Sequence, residues 1–385
     1  MKYSFLKDND WLLILTTYAL ACFGVLMVFS SSYVEAMYMG EGGTGDPYFF
    51  LKRQSVWFIL ATLFFIFFMH LNYQLFKKMS PYIIILSFVS LLLVIFGFGS
   101  SGGGAQRWLQ LGPIRLQPSE FVKLGMVIYL AQVYSQKQVY IHKFIKGVVP
   151  PLIVVGLVFI LIMRQPDLGT ATAILMVTFF IIFLSGARWT HLLGLGVVGS
   201  SLFIALAVSE TYRYERLTSF VDPFADPMNN GLQLIQGYIA FAHGGLTGTG
   251  LGGSVQKLLY LPEAHTDFIL PIISEELGIL GVLFVIGCYG VILFRGVVIG
   301  SRCRTPFGSL LAFGIVFQIA IQVVFNIGAV SGLLPITGIT LPLVSNGGSS
   351  LLVTMISIAI LASISRTNIR QKRLKLDQDD ELKTA

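Results

Sequence analysis

The sequence predicts an all-α polytopic membrane protein of about ten transmembrane helices, with a long extracytoplasmic loop between spans seven and eight. Three observations predict it. Hydrophobic residues make up 55% of the chain and charged residues 12%, with a mean hydropathy of +0.78, a balance that would leave a soluble domain with an apolar exterior. The apolar residues gather into runs near the ~20 residues that cross a bilayer as a helix. The lysines and arginines fall in alternate short connections.

Counted along the chain, the runs lie at roughly 11–31, 54–71, 82–98, 118–135, 147–163, 168–185, 191–209, 268–294, 307–330 and 347–365. The first follows MKYSFLKDND with no small-residue cleavage site, so it reads as a retained span and not a signal peptide. Lys77, Lys78, Lys137, Lys143, Lys146, Arg188, Arg295, Arg302 and Arg304 all fall in short loops on the face that carries both termini. Lys2, Lys7 and the tail RTNIRQKRLK (366–375) add to it, and the positive-inside rule makes that face cytoplasmic. Residues 1–365 form one membrane domain, and 366–385 a basic and polar cytoplasmic tail. The formal charge of +7 then reflects topology and contact with the anionic lipid bilayer, not nucleic acid, because the cations are dispersed among loops. Cys22 and Cys288 fall in spans and Cys303 in a cytoplasmic loop, which places none for a disulfide. No CxxC or HExxH spacing appears, so no metal ligands are assigned.

Polar residues collect in the connections on the other face. The longest, about 210–267, mixes aromatics and aliphatics with Gly and Pro, which argues for short amphipathic or re-entrant helices over disorder. LQLIQGYIAFA (232–242) is the best candidate, with Leu234, Tyr238 and Phe241 near one stripe. HGGLTGTGLGG (243–253) is either a flexible turn or a backbone cradle for phosphate. In SSGGGAQRWLQLGPIRLQPSEFVKL (100–124) a glycine run leads to Arg107, Trp108 and Arg115. Trp108 suits either a membrane-interface anchor or a sugar-stacking platform. Gln117-Pro118-Ser119-Glu120 starts a helix, and Lys123 lies three residues on, where the two charges can pair inside the membrane. In MRQPDLGTA (163–171), Arg164 and Asp167 form a local salt bridge or flank a helix start with outward N–H groups. NIGAVSGLLPITGITLPLVSNGGSS (326–350) has Pro and Gly at membrane depth, where irregular backbone survives only around protein or a wet cavity.

LPEAHTDFILPIISEELG (261–278) brings Glu263, His265 and Asp267 to the outer end of the eighth run and Glu275 and Glu276 inside it. Buried charge costs ~2.5–3.5 kcal/mol per residue on insertion scales, so each acid needs a reason. Asp267 faces connections that carry Arg107, Arg115, Arg164, Arg213, Arg216 and Lys257. An acid among fixed cations suits an anionic substrate that must lose one proton, as in transfer of a sugar from a lipid diphosphate to a hydroxyl. A divalent cation, Mg or Mn, would help to take the charge of the departing diphosphate. A single base suffices for an inverting displacement. Of Glu275 and Glu276, one belongs to a structural ion pair, and the residues alone do not say which.

At these residues the chain resembles the SEDS family of membrane proteins of shape, elongation, division and sporulation, which comprises the FtsW, RodA and SpoVE branches. The motifs are YFFLKRQ (48–54, with Lys52 and Arg53), GAQRW (104–108), QPSEF (117–121), QPDLGTA (165–171), DP..DP (222–227), LPEAHTDF (261–268), EELG (275–278) and GGSS (347–350, with Ser349). Several motifs in order over nearly the whole chain make the resemblance specific. It implies a ten-span fold and peptidoglycan glycosyltransferase activity on undecaprenyl-linked lipid II at the outer face of the cell membrane. It implies a class B penicillin-binding transpeptidase and other divisome membrane proteins as partners. The family's essential acid maps to Asp267 and its outer-loop tryptophan to Trp108. Lys52, Arg53, Glu263, His265 and Ser349 join the cations as candidate substrate contacts. GLGGSVQKL and YLPEAHTDF lie nearest the division branch, at the septum, with the sporulation branch close behind; a RodA-like or SpoVE-like member serving elongation or sporulation is the alternative. PITG (335–338) lacks the lysine common in that branch, and Asn346 stands where Tyr is usual. A lipid flippase is the competing activity and a scaffold the third class, but charge concentrated in the outer half disfavours a two-sided transport path.

Overall fold

The computed structural model describes residues 8–38, 45–102, 105–112, 114–138 and 140–384. Ten long helices coincide with the ten apolar runs. They are α1 (Trp11–Tyr38), α2 (Phe49–His70), α3 (Gln74–Leu93), α4 (Pro118–Lys137), α5 (Val149–Met163), α6 (Leu168–Leu184) and α7 (Trp189–Val208), then α10 (Ile269–Arg302), α11 (Pro306–Val330) and α12 (Gly348–Thr384). Two shorter helices, α8 (Thr211–Val221) and α9 (Leu232–Gly244), lie in the long connection. Among the described residues, eight helical segments are long and apolar enough to cross a membrane. The other two of the ten are α6, apolar but 17 residues long, and α4, where Glu120 and Lys123 interrupt an otherwise apolar run.

Local sequence explains the helix starts. Pro118 and Pro306 occupy first-turn positions where a missing N–H leaves no hydrogen bond unmade. Thr305 caps α11 by accepting from the Gly308 N–H at 3.2 Å, and Asp167 caps α6 by accepting from the Thr170 N–H at 3.1 Å. The apolar part of α12 is 94% buried and that of α11 67%, so these two form the centre of the bundle. The corresponding window of α7 is 6% buried and presents its apolar surface outward, as a lipid-facing helix does.

The two ends of the bundle differ. At one end Asp8 pairs with Arg373 at 2.8 Å and Arg370 at 3.2 Å, which joins the N-terminal segment to α12. Beside it Asp10 takes Arg295 of α10 at 2.6 Å. Both described chain ends therefore lie on this side, as an even number of spans requires. The helix continues unbroken through residue 365, so the basic tail begins as an extension of the last span.

Two features of the opposite end were not legible as helix signals. Gly99–Gly102 (β1), Ala105–Leu111 (β2) and Ile114–Leu116 (β3) form a three-stranded antiparallel sheet, with Trp108 opposite Ser100 and Arg115 opposite Gln110. The all-α prediction holds for the bundle and omits this sheet. The other feature is a break inside α10, where Gly278 has φ +66° and ψ −165°, a conformation only glycine adopts readily. Residues 269–277 are thus a half-helix of their own, with Asp267 just before its start and Glu275 and Glu276 at its end.

Candidate active site

The break at Gly278 frees backbone groups, and the glycine-rich loop takes them up. Thr249 N–H donates to the Glu275 carbonyl at 2.9 Å, Gly250 N–H to the Glu276 carbonyl at 3.0 Å, and Ile279 N–H to the Gly245 carbonyl at 3.1 Å. The phosphate-cradle reading of 243–253 is corrected by this geometry: the loop clasps a broken helix, and amides it would offer an anion are already engaged. Only glycine fits at 248, since a Cβ there would run into the Glu276 carbonyl.

The acids at the end of the half-helix are both fully buried. Glu276 accepts from Lys257 Nζ at 2.7 Å and from the Ser30 hydroxyl at 2.7 Å and 2.8 Å. Glu275 accepts from Val255 N–H at 3.1 Å, Gln256 N–H at 3.3 Å and the Ser254 hydroxyl, with His243 Nδ1 at 3.4 Å. Glu276 is therefore the ion-pair member, and Glu275 is held mainly by uncharged donors. Lys257, expected to meet substrate, is buried and committed to Glu276, so its charge does not face an open site.

Two further candidate contacts are also placed inside. His265 is buried with Nδ1 2.9 Å from Glu35 Oε2 and its ring 4.5 Å from that of Phe50. The Ser349 hydroxyl accepts from Gln117 N–H at 3.0 Å and steadies the entry to α4. Both hold neighbouring elements together in this structure. Lys52 is exposed and paired with Asp46 at 2.7 Å, and Arg53 is half-buried on the same helix. The side chain of Arg213 lies outside the described residues.

A polar cavity of about 50 Å³, room for ordered water, is lined by Arg107, Gln117, Glu120, Lys123, Asp167, Thr170 and the segment Gly338–Thr340. Glu120 and Lys123 pair in it at 2.8 Å, one turn apart on α4. Arg107 Nε donates to the Gln165 carbonyl at 3.0 Å and its Nη2 to the Pro166 carbonyl, which fastens β2 over the turn between α5 and α6. Asp167 faces this cavity and the start of α6, and Arg164 is exposed at the end of α5. The amides expected to point outward at 168–170 thus already have a carboxylate of the chain before them. Trp108 and Arg115 are half-buried on the sheet.

Asp267 stands outside the span and is partly exposed. Its pKa is pushed up to about 6, first by burial and then by the nearby Glu263 charge, against the lowering effect of its own backbone N–H, the Thr266 hydroxyl and Arg216. Arg216, on α8, also donates to the Ile336 carbonyl at 3.4 Å. Asn326 of α11, buried, donates to the Asp267 carbonyl at 2.7 Å and to the Ile339 carbonyl at 2.9 Å. One amide therefore ties the acid-bearing loop to the segment that lines the polar cavity. Sequence reasoning passed over Asn326; the recurrence of amides at Gln318, Gln322 and Asn326, four residues apart in an apolar run, was the signal available. It also passed over Thr266, whose hydroxyl lies between Glu263 and Asp267.

The fold and the site define a class: a multi-pass α-helical membrane protein with a perturbed acid on a loop that Asn326 ties to the wall of a polar cavity, at the end opposite its termini. The family model described as cell cycle protein, of the FtsW, RodA and SpoVE proteins, matches residues 10–370. The stage V sporulation protein E of Bacillus subtilis is 42% identical over 93% of this chain and 97% of its own. A probable peptidoglycan glycosyltransferase FtsW of the same organism is 42% identical over 95% and 92%. Among solved structures, a chain described under structural coordination of polymerization and crosslinking by a peptidoglycan synthase complex superposes with a TM-score of 0.76 at 28% identity, covering 94% of this chain and 98% of that one. The rod shape determining protein RodA of Thermus thermophilus gives 0.67 at 26% identity, covering 93% and 97%. The chain belongs to the FtsW, RodA and SpoVE family of cell cycle proteins.

Proposed function

We propose that the protein is a peptidoglycan glycosyltransferase that polymerises the undecaprenyl-diphosphate-linked disaccharide, lipid II, into glycan strands at the outer face of the bacterial cell membrane. The observation that carries this reading is Asp267: a carboxyl outside the span with a pKa of about 6, on a loop anchored to a polar cavity. An acid of that strength is ionised at neutral pH and still has useful proton affinity, which a general base needs. As the acceptor hydroxyl attacks the anomeric carbon, its proton passes to Asp267, and the diphosphate leaves with the electrons of the broken C–O bond. Arg216 sits where it acts on Asp267 electrostatically, and it offers positive charge to the diphosphate. A single displacement inverts the anomeric centre.

Among the described residues no group of three His, Cys, Asp or Glu side chains could hold a metal ion. A Mg or Mn ion enters this reading as a counter-ion carried by the diphosphate, whose oxygens suit it. Both termini are cytoplasmic in this reading, because the basic loops share their face. The partner is a class B penicillin-binding transpeptidase, in keeping with the coupling of polymerization and crosslinking described for the solved complex. Service in septal synthesis, beside other divisome membrane proteins, follows the FtsW resemblance. The equally similar sporulation relative makes spore-envelope synthesis the second reading.

The test is purified protein with its transpeptidase partner and lipid II, scored for glycan strands. Strand formation that requires this protein and disappears in Asp267→Asn supports the activity; strands made by the partner alone refute it. Replacement of the resident protein in strains lacking the division or the sporulation member separates the two cellular roles.

A further inference from the structure

Glu263, Thr266 and Asp267 occupy one turn of chain, and their side chains meet. The Thr266 hydroxyl oxygen lies 2.7 Å from Glu263 Oε2 and 3.1 Å from Asp267 Oδ1. A hydroxyl has one hydrogen to give. With both carboxylates ionised it donates to one and turns a lone pair toward the other, which is repulsive. Once Asp267 holds a proton, Asp267 donates to Thr266 and Thr266 donates to Glu263, and each contact is satisfied.

The backbone is bent to bring the three together. Glu263 has φ +54°, in the left-handed region that a residue with a side chain adopts only at a cost. Its carbonyl accepts from Thr266 N–H at 3.1 Å and Phe268 N–H at 3.3 Å, which closes the turn. The Glu263 side chain is exposed, so the turn does not exist to bury it.

We propose, resting on the glycosyltransferase reading above, that Glu263 and Thr266 are positioning residues for the base. With Asp267 they form a carboxyl, hydroxyl and carboxylate chain built to hold one proton. In the transfer step the acceptor O–H bond breaks and its proton goes to Asp267. The acceptor oxygen bonds the anomeric carbon, and the diphosphate departs with the electron pair. The same event removes one of two neighbouring negative charges, so the Glu263 carboxylate favours the protonated product of catalysis, while the Thr266 hydroxyl steadies the ionised base before it. Among the described residues, the charges that act on Asp267 are Glu263 on its own turn and Arg216 on α8. Among the other neighbours, the His265 ring is turned to Glu35, and Asn326 of α11 contributes a neutral amide to the Asp267 backbone.

The experiment is the initial rate of strand synthesis as a function of pH, with the protein in complex with its transpeptidase, for wild type, Thr266→Val, Thr266→Ser and Glu263→Gln. Loss of the neighbouring carboxylate weakens the hold on the proton, whereas loss of the hydroxyl, which steadies the ionised carboxyl, strengthens it. Glu263→Gln is expected to move the acidic limb to lower pH and Thr266→Val to move it to higher pH, each cutting kcat about tenfold with KM unchanged, within the range general bases contribute. Thr266→Ser, which retains the hydroxyl, is expected to keep the limb at its wild-type position. An active wild type whose limb stays in place in both Thr266→Val and Glu263→Gln overturns the proposal. Glu263 is exposed, so Glu263→Gln carries the test even if Thr266→Val does not fold. A wild type that makes no strands overturns instead the glycosyltransferase reading beneath it.

Discussion

Two pairs of acids lie on one stretch of chain, and the protein treats them in opposite ways. Glu275 and Glu276 are fully buried, and hydroxyl, backbone N–H or ammonium donors surround both. Glu263 and Asp267, about two turns away, share a single hydroxyl. Satisfaction of hydrogen bonds separates them. A carboxylate with every lone pair engaged is a fixed part of the scaffold, whereas one with too few donors retains proton affinity. The half-helix 269–277 links the two, clamped at its inner end and carrying the base before its outer end.

The comparison can be broken at either pair. Asp267→Asn is expected to lower the rate of strand synthesis by about 10²–10⁴-fold, with the protein still monodisperse in detergent. A near-normal rate would remove the distinction drawn here. Glu276→Ala leaves the Lys257 ammonium buried without a counter-charge and is expected to destabilise the protein by about 3–5 kcal/mol, read as a lower Tm and poorer yield. Adding Lys257→Met should recover much of that loss, because the stranded charge then goes too.

Smaller effects sharpen the picture. Gly278→Ala forces a side chain into a backbone conformation that suits only glycine and into the Leu246 carbonyl, at a cost of about 1–3 kcal/mol in thermal stability. Wild-type activity should rise with pH through about 6, because only ionised Asp267 accepts a proton; well below that pH each unit removes about tenfold of the rate. A limb centred near pH 4 would show that the carboxyl is ordinary. Lys52→Ala breaks an exposed pair with Asp46 and is expected to leave Tm unchanged within measurement, as exposed pairs do.

The ten helices were legible because apolar length and helix starts such as Pro118 and Pro306 are local properties. The sheet at 99–116 was not, since AQRWLQL carries too short an alternation to stand out between apolar runs. Asp267 was legible from its motif and its place at the end of a run. What holds Lys257, His265 and Ser349 in place was not. Their partners are Glu276, Glu35 and the Gln117 amide, and a one-dimensional reading sees cations and hydroxyls without seeing what already holds them.

By itself the sequence determined the membrane class, the helix count and the family, because hydropathy and motif order need no knowledge of what meets what. Only the tertiary structure decided which acids are scaffold and which is free to react. Ser30 reaches Glu276 across 246 positions, Asn326 reaches Asp267 across 59, and such contacts set the local dielectric and the supply of donors. Proton affinity depends on both, and neither exists until the chain has folded.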